Sequence, residues 1–216
     1  MLNREEVKKT AAESIIDADE AKAFGLIDEI LKLEDKEWVT ILCDGFSDGN
    51  RLVGESFEKG KLSLPELIYC SEVMKNVMDR IIKRVDSIPV ETTGKILIAT
   101  VEGDVHDIGK GIVASALKLA GFEVIDLGRE VSVDTIVEAA ERCGVDIIGT
   151  SALLTSTLSE QKKLEMLLRD LGLRHKYKTM VGGAPCTARW AKKIGADAYS
   201  EDAMEAVKKA KELLKK

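Results

Sequence analysis

Ile96-Leu97-Ile98-Ala99-Thr100 runs directly into Val101-Glu102-Gly103-Asp104-Val105-His106-Asp107-Ile108-Gly109-Lys110-Gly111, and apolar residues then recur at helical spacing over 109–120. A short unbroken apolar run is what a strand buried on both faces needs. A polar, glycine-bearing loop and a helix after it make one strand–loop–helix unit. The same alternation repeats toward the C-terminus. Glu123-Val124-Ile125-Asp126-Leu127, Val145-Asp146-Ile147-Ile148-Gly149, Thr179-Met180-Val181 and the weaker Ala196-Asp197-Ala198-Tyr199 read as strands. Helical stretches follow them at 133–142, 158–171, 187–194 and 202–215. Strand alternating with helix implies parallel strands joined by right-handed crossovers. Residues 95–216 are therefore predicted to form an α/β domain with a flavodoxin-like (Rossmann-like) five-stranded parallel sheet.

N-terminal to this unit the period changes. Asp86-Ser87-Ile88-Pro89-Val90-Glu91-Thr92-Thr93-Gly94 breaks any helical pattern, and 89–94 reads as a linker framed by Pro89 and Gly94. Residues 1–88 show no convincing strand. Helical spacing recurs over about 4–17, through Ala23, Leu26, Ile27, Ile30 and Leu31, from Trp38 to Phe57, and from Leu64 through Met78 to Ile82. Pro65 suits the first turn of the last of these. Four helices joined by short turns predict an antiparallel four-helix bundle.

Composition narrows the function. With 45% hydrophobic residues the 216-residue chain can bury a core. Lys plus Arg is 32 against 38 Asp plus Glu, a formal charge of -6, with no basic block, so nucleic acid is not expected as a partner. No run of ~18 apolar residues and no charged-then-apolar leader is present, so a cytoplasmic protein without a membrane partner is expected. Cys43, Cys70, Cys143 and Cys186 lack CxxC spacing and read as reduced thiols. The two histidines, His106 and His175, exclude any site built from clustered imidazoles.

In an open parallel sheet ligands bind at the carboxyl ends of the strands where the strand order reverses, here between the first and third strands. Polar residues collect there: Glu102–Gly111, Thr150–Thr157 and Gly182-Gly183-Ala184-Pro185. In Asp104-x-His106-x-x-Gly109, a carboxylate two residues from a loop-tip histidine can hold one ring nitrogen and leave the other for a metal. The same pair can also be a loop histidine bonded to a carboxylate with no ligand at all. One imidazole without nearby thiolates does not suit zinc, and a metal that brings most of its own ligands fits better. His175, in Arg174-His175-Lys176, reads as a solvated loop residue. Cys186 either packs or touches the pocket beside Gly182-Gly183.

Asp104-x-His106-x-x-Gly109, then Ser151-x-Leu153, then Gly182-Gly183, each after its expected strand, resemble the cobalamin-binding signature DxHxxG–SxL–GG. Residues 1–88 are similar to the helical cap that precedes this module. The likeness is greatest over Val53-Gly54-Glu55-Ser56-Phe57-Glu58-Lys59-Gly60-Lys61-Leu62-Ser63-Leu64-Pro65-Glu66-Leu67. The whole chain resembles the free-standing corrinoid proteins of methanogen and acetogen methyltransferase systems, and the cap and cobalamin-binding domains of methionine synthase.

This resemblance implies a cobalamin cofactor, methylcobalamin or a related corrinoid. It implies His106 as the lower axial cobalt ligand in place of dimethylbenzimidazole, with Asp104 bonded to its far nitrogen. Thr157 stands where the family often has serine, keeping the hydroxyl and adding a methyl. Gly109, Ser151, Leu153, Thr155, Gly182 and Gly183 would line the displaced nucleotide tail, and Asp107 and Ile108 complete the cofactor-binding set. Phe57 and Leu64 match residues over the upper face of the corrin, although the same spacing also suits bundle core. The implied function is a methyl carrier, one component of a methyltransferase complex. It would accept a methyl group on cobalt from a substrate-specific methyltransferase, with a methylated or quaternary amine as donor. It would pass that group to a second methyltransferase serving tetrahydrofolate or coenzyme M, with a reductive activation protein as further partner.

Other classes fit less of the chain. A cobalamin-dependent sensor would need a recognition helix that the acidic N-terminal helices do not offer. A small mutase subunit would lack the cap, and a receiver domain would leave it unexplained. A chain of 216 residues has no room for a substrate barrel of roughly 250 residues, which speaks against a complete methionine synthase.

Overall fold

In the computed structural model, which describes residues 3–33, 35–85 and 93–215, the alternating apolar runs become one parallel sheet ordered β2-β1-β3-β4-β5. The strands are β1 (Gly94–Thr100), β2 (Phe122–Asp126), β3 (Ile147–Ser151), β4 (Lys178–Gly182) and β5 (Ala198–Tyr199). Between and after them run α5 (Ile108–Leu119), α6 (Val133–Cys143), α7 (Leu158–Asp170), α8 (Ala188–Ile194) and α9 (Ala203–Leu214). Successive side chains of a strand point to opposite faces, and both faces here are covered. Ile96, Ile98 and Ile147 pack with Ala114 and Leu117 of α5 and Ala206 and Ala210 of α9. Leu97, Ala99 and Ile148 pack on the opposite face with Ile136 and Ala140 of α6 and Leu164 and Leu168 of α7. The order reverses between β1 and β3, so their carboxyl ends flank the crevice of this doubly wound sheet.

Strand limits differ from the sequence reading in instructive ways. Gly94, expected in the linker, pairs with Phe122 as the first residue of β1. β3 begins only at Ile147. Gly144 ends α6 in the left-handed region (φ 61°), and the N–H of Val145 is taken by the Ala140 carbonyl. Ser151 and Gly182, expected in loops, are the last residues of β3 and β4 and pair with each other. The expected linker residues 86–92 lie outside the described residues.

The N-terminal helices are α1 (Arg4–Ile16), α2 (Glu20–Leu31), α3 (Lys36–Glu58) and α4 (Leu64–Val85). They form one compact unit within residues 1–89, and the α/β layers form another within 90–216. Ala11, Ile15, Ile27, Leu42, Phe46, Met74 and Val77 make up much of the bundle core. α1 lies against Gly45 and Gly49 of α3. A Cβ on Gly45 would stand 2.5 Å from the Lys8 carbonyl, and one on Gly49 would stand 2.6 Å from the Ala12 carbonyl. Glycine at i and i+4 therefore admits the backbone of α1. At the start of α4 the Glu66 side chain reaches back to Ser63, whose N–H and hydroxyl both donate to Glu66 Oε2, at 2.8 and 2.5 Å. Among the described residues no helix is long and apolar enough to cross a membrane.

Candidate functional site

The loop after β1 turns at once. The Asp104 N–H donates to the Val101 carbonyl at 3.2 Å, and Gly103 takes φ 76°, which places glycine where a type II turn needs positive φ. The turn sends the Asp104 side chain inward, where it is wholly buried. A buried carboxylate is tolerated only when its lone pairs are used. Here all are. Oδ1 lies 2.7 Å from His106 Nδ1 and accepts the His106 N–H at 3.2 Å. Oδ2 accepts from the N–H of Leu153 at 2.7 Å, the N–H of Leu154 at 3.1 Å and the hydroxyl of Thr157 at 2.8 Å.

Burial by itself would raise the Asp104 pKa. The bonds from His106, Thr157 and Leu153 outweigh it and hold the carboxyl down to about 2. An ionised carboxylate only accepts, so the hydrogen between Asp104 and His106 belongs to Nδ1. His106 Nε2 then carries the free lone pair. The imidazole side chain is 46% exposed, and among the described residues nothing bonds Nε2. Exposed Val105, Leu153 and Leu154 adjoin it through the chain and through Asp104. Beyond Gly109 a Cβ would meet nothing within 4 Å, so the backbone there faces open space.

Both helices that start at this site keep their N-cap side chains out of capping. Asp107 precedes α5 and Thr157 precedes α7, and neither bonds its own helix. Asn3, Asp19, Asp35, Ser132, Thr187 and Asp202 all cap theirs. Serine, threonine and aspartate normally serve that role, and Thr157 gives it up for its bond to Asp104.

The structure thus joins Asp104, His106, Leu153 and Thr157 by hydrogen bonds. Thr155 is exposed in the same loop. Gly183 lies against the end of β3 at φ 117°, where a Cβ would fall 1.9 Å from the Ala152 carbonyl, so the two loops meet backbone to backbone. Cys186 is buried on the Gly182 carbonyl at 3.0 Å and on Gln161 Oε1 at 3.3 Å, and burial pushes its thiol up to about 11. His175 is exposed in a turn. Within the helical unit, Phe57 and Leu64 are 38% and 57% exposed rather than core, in company with Ile68 and Tyr69.

The sequence reading missed Gln161, which is buried. Its Nε2 donates to the carbonyls of Thr150 and Gly182, both at 3.2 Å, and its Oε1 accepts from Trp190 Nε1 at 2.9 Å. A signal was present: Gln161 shares an i, i+3, i+7 stripe with Leu164 and Leu168, a polar residue on the buried face of α7. Lys110, buried in the first turn of α5 and paired with Asp126, was also missed.

One free imidazole nitrogen, fixed in its tautomer and set among exposed apolar side chains, suits a metal carried in a large, mostly apolar ligand. No group of three or more metal-binding side chains exists among the described residues to hold a bare ion. The comparisons agree. A B12 binding domain model matches residues 94–208, and a second B12 binding domain model matches 7–82. Trimethylamine corrinoid protein 2 of Methanosarcina acetivorans is 44% identical over 217 residues, covering 100% of both chains. The dimethylamine corrinoid protein of Methanosarcina barkeri is 43% identical over 99% of this chain and 100% of its own. The solved monomethylamine corrinoid protein of Methanosarcina barkeri superposes with a TM-score of 0.83 at 32% identity, covering 98% of this chain and 100% of that one. The chain belongs to the B12-binding corrinoid proteins, and its cofactor is cobalamin or a related corrinoid.

Proposed function

We propose that this chain carries methyl groups within a methylamine methyltransferase system. It receives them from a substrate-specific methyltransferase acting on a methylated amine and yields them to a second methyltransferase serving tetrahydrofolate or coenzyme M. The observation that carries this reading is His106 with Nδ1 bonded to the buried Asp104 and Nε2 free at the crevice. The likeness to trimethylamine and dimethylamine corrinoid proteins supports an amine as the donor class.

When bound, the corrinoid supplies a cobalt centre able to take up and give up a methyl group. The residues of this chain do the rest. His106 Nε2 would hold the cobalt, and Asp104 keeps the proton on Nδ1 so that the lone pair stays available. Thr157 and the N–H groups of Leu153 and Leu154 keep Asp104 ionised. Gly109, Ser151, Leu153, Thr155, Gly182 and Gly183 would hold the nucleotide tail, with Asp107 and Ile108 beside the ligand loop. Phe57 and Leu64, exposed on the helical unit, are the apolar side chains this unit would offer to exclude water from the cofactor. A reductive activation protein would restore carrier that has been oxidised.

The test is reconstitution. The protein with hydroxocobalamin under anaerobic reducing conditions should bind about one equivalent. Mixed with trimethylamine- or dimethylamine-specific methyltransferase and the matching amine, it should become methylated at the rate of a cognate carrier. Binding without methylation by any amine-specific partner would remove the amine assignment and leave the cofactor assignment standing.

A further inference from the structure

Asp104 fixes the imidazole ring of His106, but something must also fix the backbone that carries it. Three successive carbonyls in this loop, of Asp104, Val105 and His106, are each taken by a donor from elsewhere. The Glu130 N–H donates to the Asp104 carbonyl at 3.2 Å. Arg129 Nη1 approaches the Val105 carbonyl at 3.4 Å. The Thr100 hydroxyl donates to the His106 carbonyl at 3.1 Å. Thr100 is wholly buried at the end of β1. Its N–H donates to the Gly128 carbonyl at 2.9 Å, and its carbonyl accepts from the Val131 N–H at 3.1 Å. One residue therefore ties the ligand loop to the turn that follows β2.

That turn is held in an unfavourable shape. Glu130 sits at φ 54°, a left-handed conformation that a glutamate seldom adopts. It persists because the surroundings over-determine it. Val131 bridges to Val101, and Gly128 donates to Asp126 Oδ1 at 2.8 Å while Lys110 pairs with the same carboxylate. Backbone strain kept beside a ligand site is a feature of pre-organised sites. Among the described residues no hydrogen bond or ion pair of the Glu130 side chain explains it; what the conformation achieves is to aim the Glu130 N–H at the Asp104 carbonyl.

We propose that Thr100 and the Arg129–Glu130 turn are positioning residues for His106, holding its main chain so that Nε2 is presented before the corrinoid arrives. The inference rests on the reading of His106 as the axial ligand. Without these clamps the main chain at Val105 and His106 would shift against the Asp104 carboxylate, which Leu153, Leu154 and Thr157 hold in place, and the ligating fraction of the protein would fall while the corrinoid still bound.

The experiment uses full-length protein with ¹⁵N-labelled histidine, loaded with hydroxocobalamin and reduced to Co(II). Electron paramagnetic resonance then distinguishes a histidine nitrogen, which gives a doublet splitting, from the ¹⁴N triplet of the cofactor's own base. Wild type should show the doublet. Thr100→Val should retain bound corrinoid after desalting but lower the doublet fraction at least threefold, and Thr100→Ser, which keeps the hydroxyl, should restore it. Should Thr100→Val fail to fold, the exposed Arg129→Ala decides, with an expected fall of about twofold. A wild-type doublet fraction in Thr100→Val, or in Arg129→Ala where that variant decides, overturns the inference. A wild type with no doublet overturns the reading of His106 itself.

Discussion

Thr157 occupies the N-cap of α7, yet its hydroxyl leaves the helix and donates to Asp104 Oδ2 at 2.8 Å. The bond joins the loop after β3 to the loop after β1 across the point where the strand order reverses. Thr157→Val removes it and keeps the shape. A bond to a buried charge contributes about 1.5–3 kcal/mol, so apoprotein stability should fall by about that much. Thr157→Ser keeps the donor and should remain within about 0.5 kcal/mol of wild type. Urea unfolding followed by circular dichroism measures both. A loss in Thr157→Ser with none in Thr157→Val would show that the methyl, and not the hydroxyl, matters.

Asp104→Asn poses a conflict that no rotamer resolves. Four of the five donors around Asp104 are N–H groups, on His106, Leu153 and Leu154, and the fifth is a hydroxyl. An amide has one accepting oxygen and a donating NH2. If the oxygen serves Leu153, Leu154 and Thr157, the NH2 faces Nδ1 and favours the tautomer with hydrogen on Nε2, which cannot ligate a metal. If it serves His106, the NH2 meets three donors. Asp104→Asn should therefore lose about 2–4 kcal/mol of apoprotein stability and most histidine ligation in the reduced, loaded protein. Full histidine coupling in its paramagnetic resonance spectrum would contradict the tautomer argument.

Packing in the helical unit makes two glycines of one helix respond in opposite directions. A Cβ at Gly49 would stand 2.6 Å from the Ala12 carbonyl and 2.9 Å from its Cα, so α1 would have to move. Overpacking of this kind costs about 1–3 kcal/mol, more than the helix propensity of alanine returns. At Gly54 nothing lies within 4 Å, and only propensity acts. Gly49→Ala should lower the thermal midpoint of the helical unit. Gly54→Ala should raise it, through a gain of about 0.5–1 kcal/mol.

Much of this was readable in the residues, for a physical reason in each case. β1 announced itself because Ile96–Thr100 is buried on both faces, and α7 because its stripe repeats at helical spacing. Asp104 and His106 stood out through side-chain chemistry at fixed separation. The extent of β3 and β4 was not readable, because Ser151 and Gly182 are strand residues only by virtue of each other. Thr100 looks like any β-branched strand residue until the chain curls back six positions and sets the His106 carbonyl on its hydroxyl. Glu130 could not be foreseen either: sequence favours Gly128 for positive φ, and tertiary bonds impose it on both.

Cys43 lies in the bundle core, and burial, aided by the neighbouring Asp44 charge, pushes its thiol up to about 12 from 9.0. The folded state therefore holds the thiol proton over a range in which the unfolded state releases it. Stability from this group is complete below about pH 9 and declines by about 1.4 kcal/mol per unit as pH rises toward 12. Cys43→Ala lacks this dependence. The stability advantage of wild type over Cys43→Ala should be largest at pH 7.5 and shrink at pH 10 and 10.5 in parallel urea titrations. A constant difference would place the thiol in a more hydrated setting than its burial indicates.

Gln161 spans four segments with one side chain: it sits on α7, donates to the ends of β3 and β4, and accepts from Trp190 on α8. Leucine fills nearly the same volume but leaves the indole N–H and the Thr150 carbonyl without their present partner. Each such group, if kept from water, costs about 1–3 kcal/mol, so Gln161→Leu should lose about 2–4 kcal/mol. Trp190→Phe deletes only the indole donor and part of the ring and should lose less. The two residues are bonded, so their effects should not add. The double variant should fall short of the sum by about 1 kcal/mol, because the second change removes a bond already gone. The cycle is read from urea unfolding of the four apoproteins. Strict additivity would mean that the Gln161–Trp190 bond contributes nothing, and that Gln161 acts through the β3 and β4 carbonyls alone.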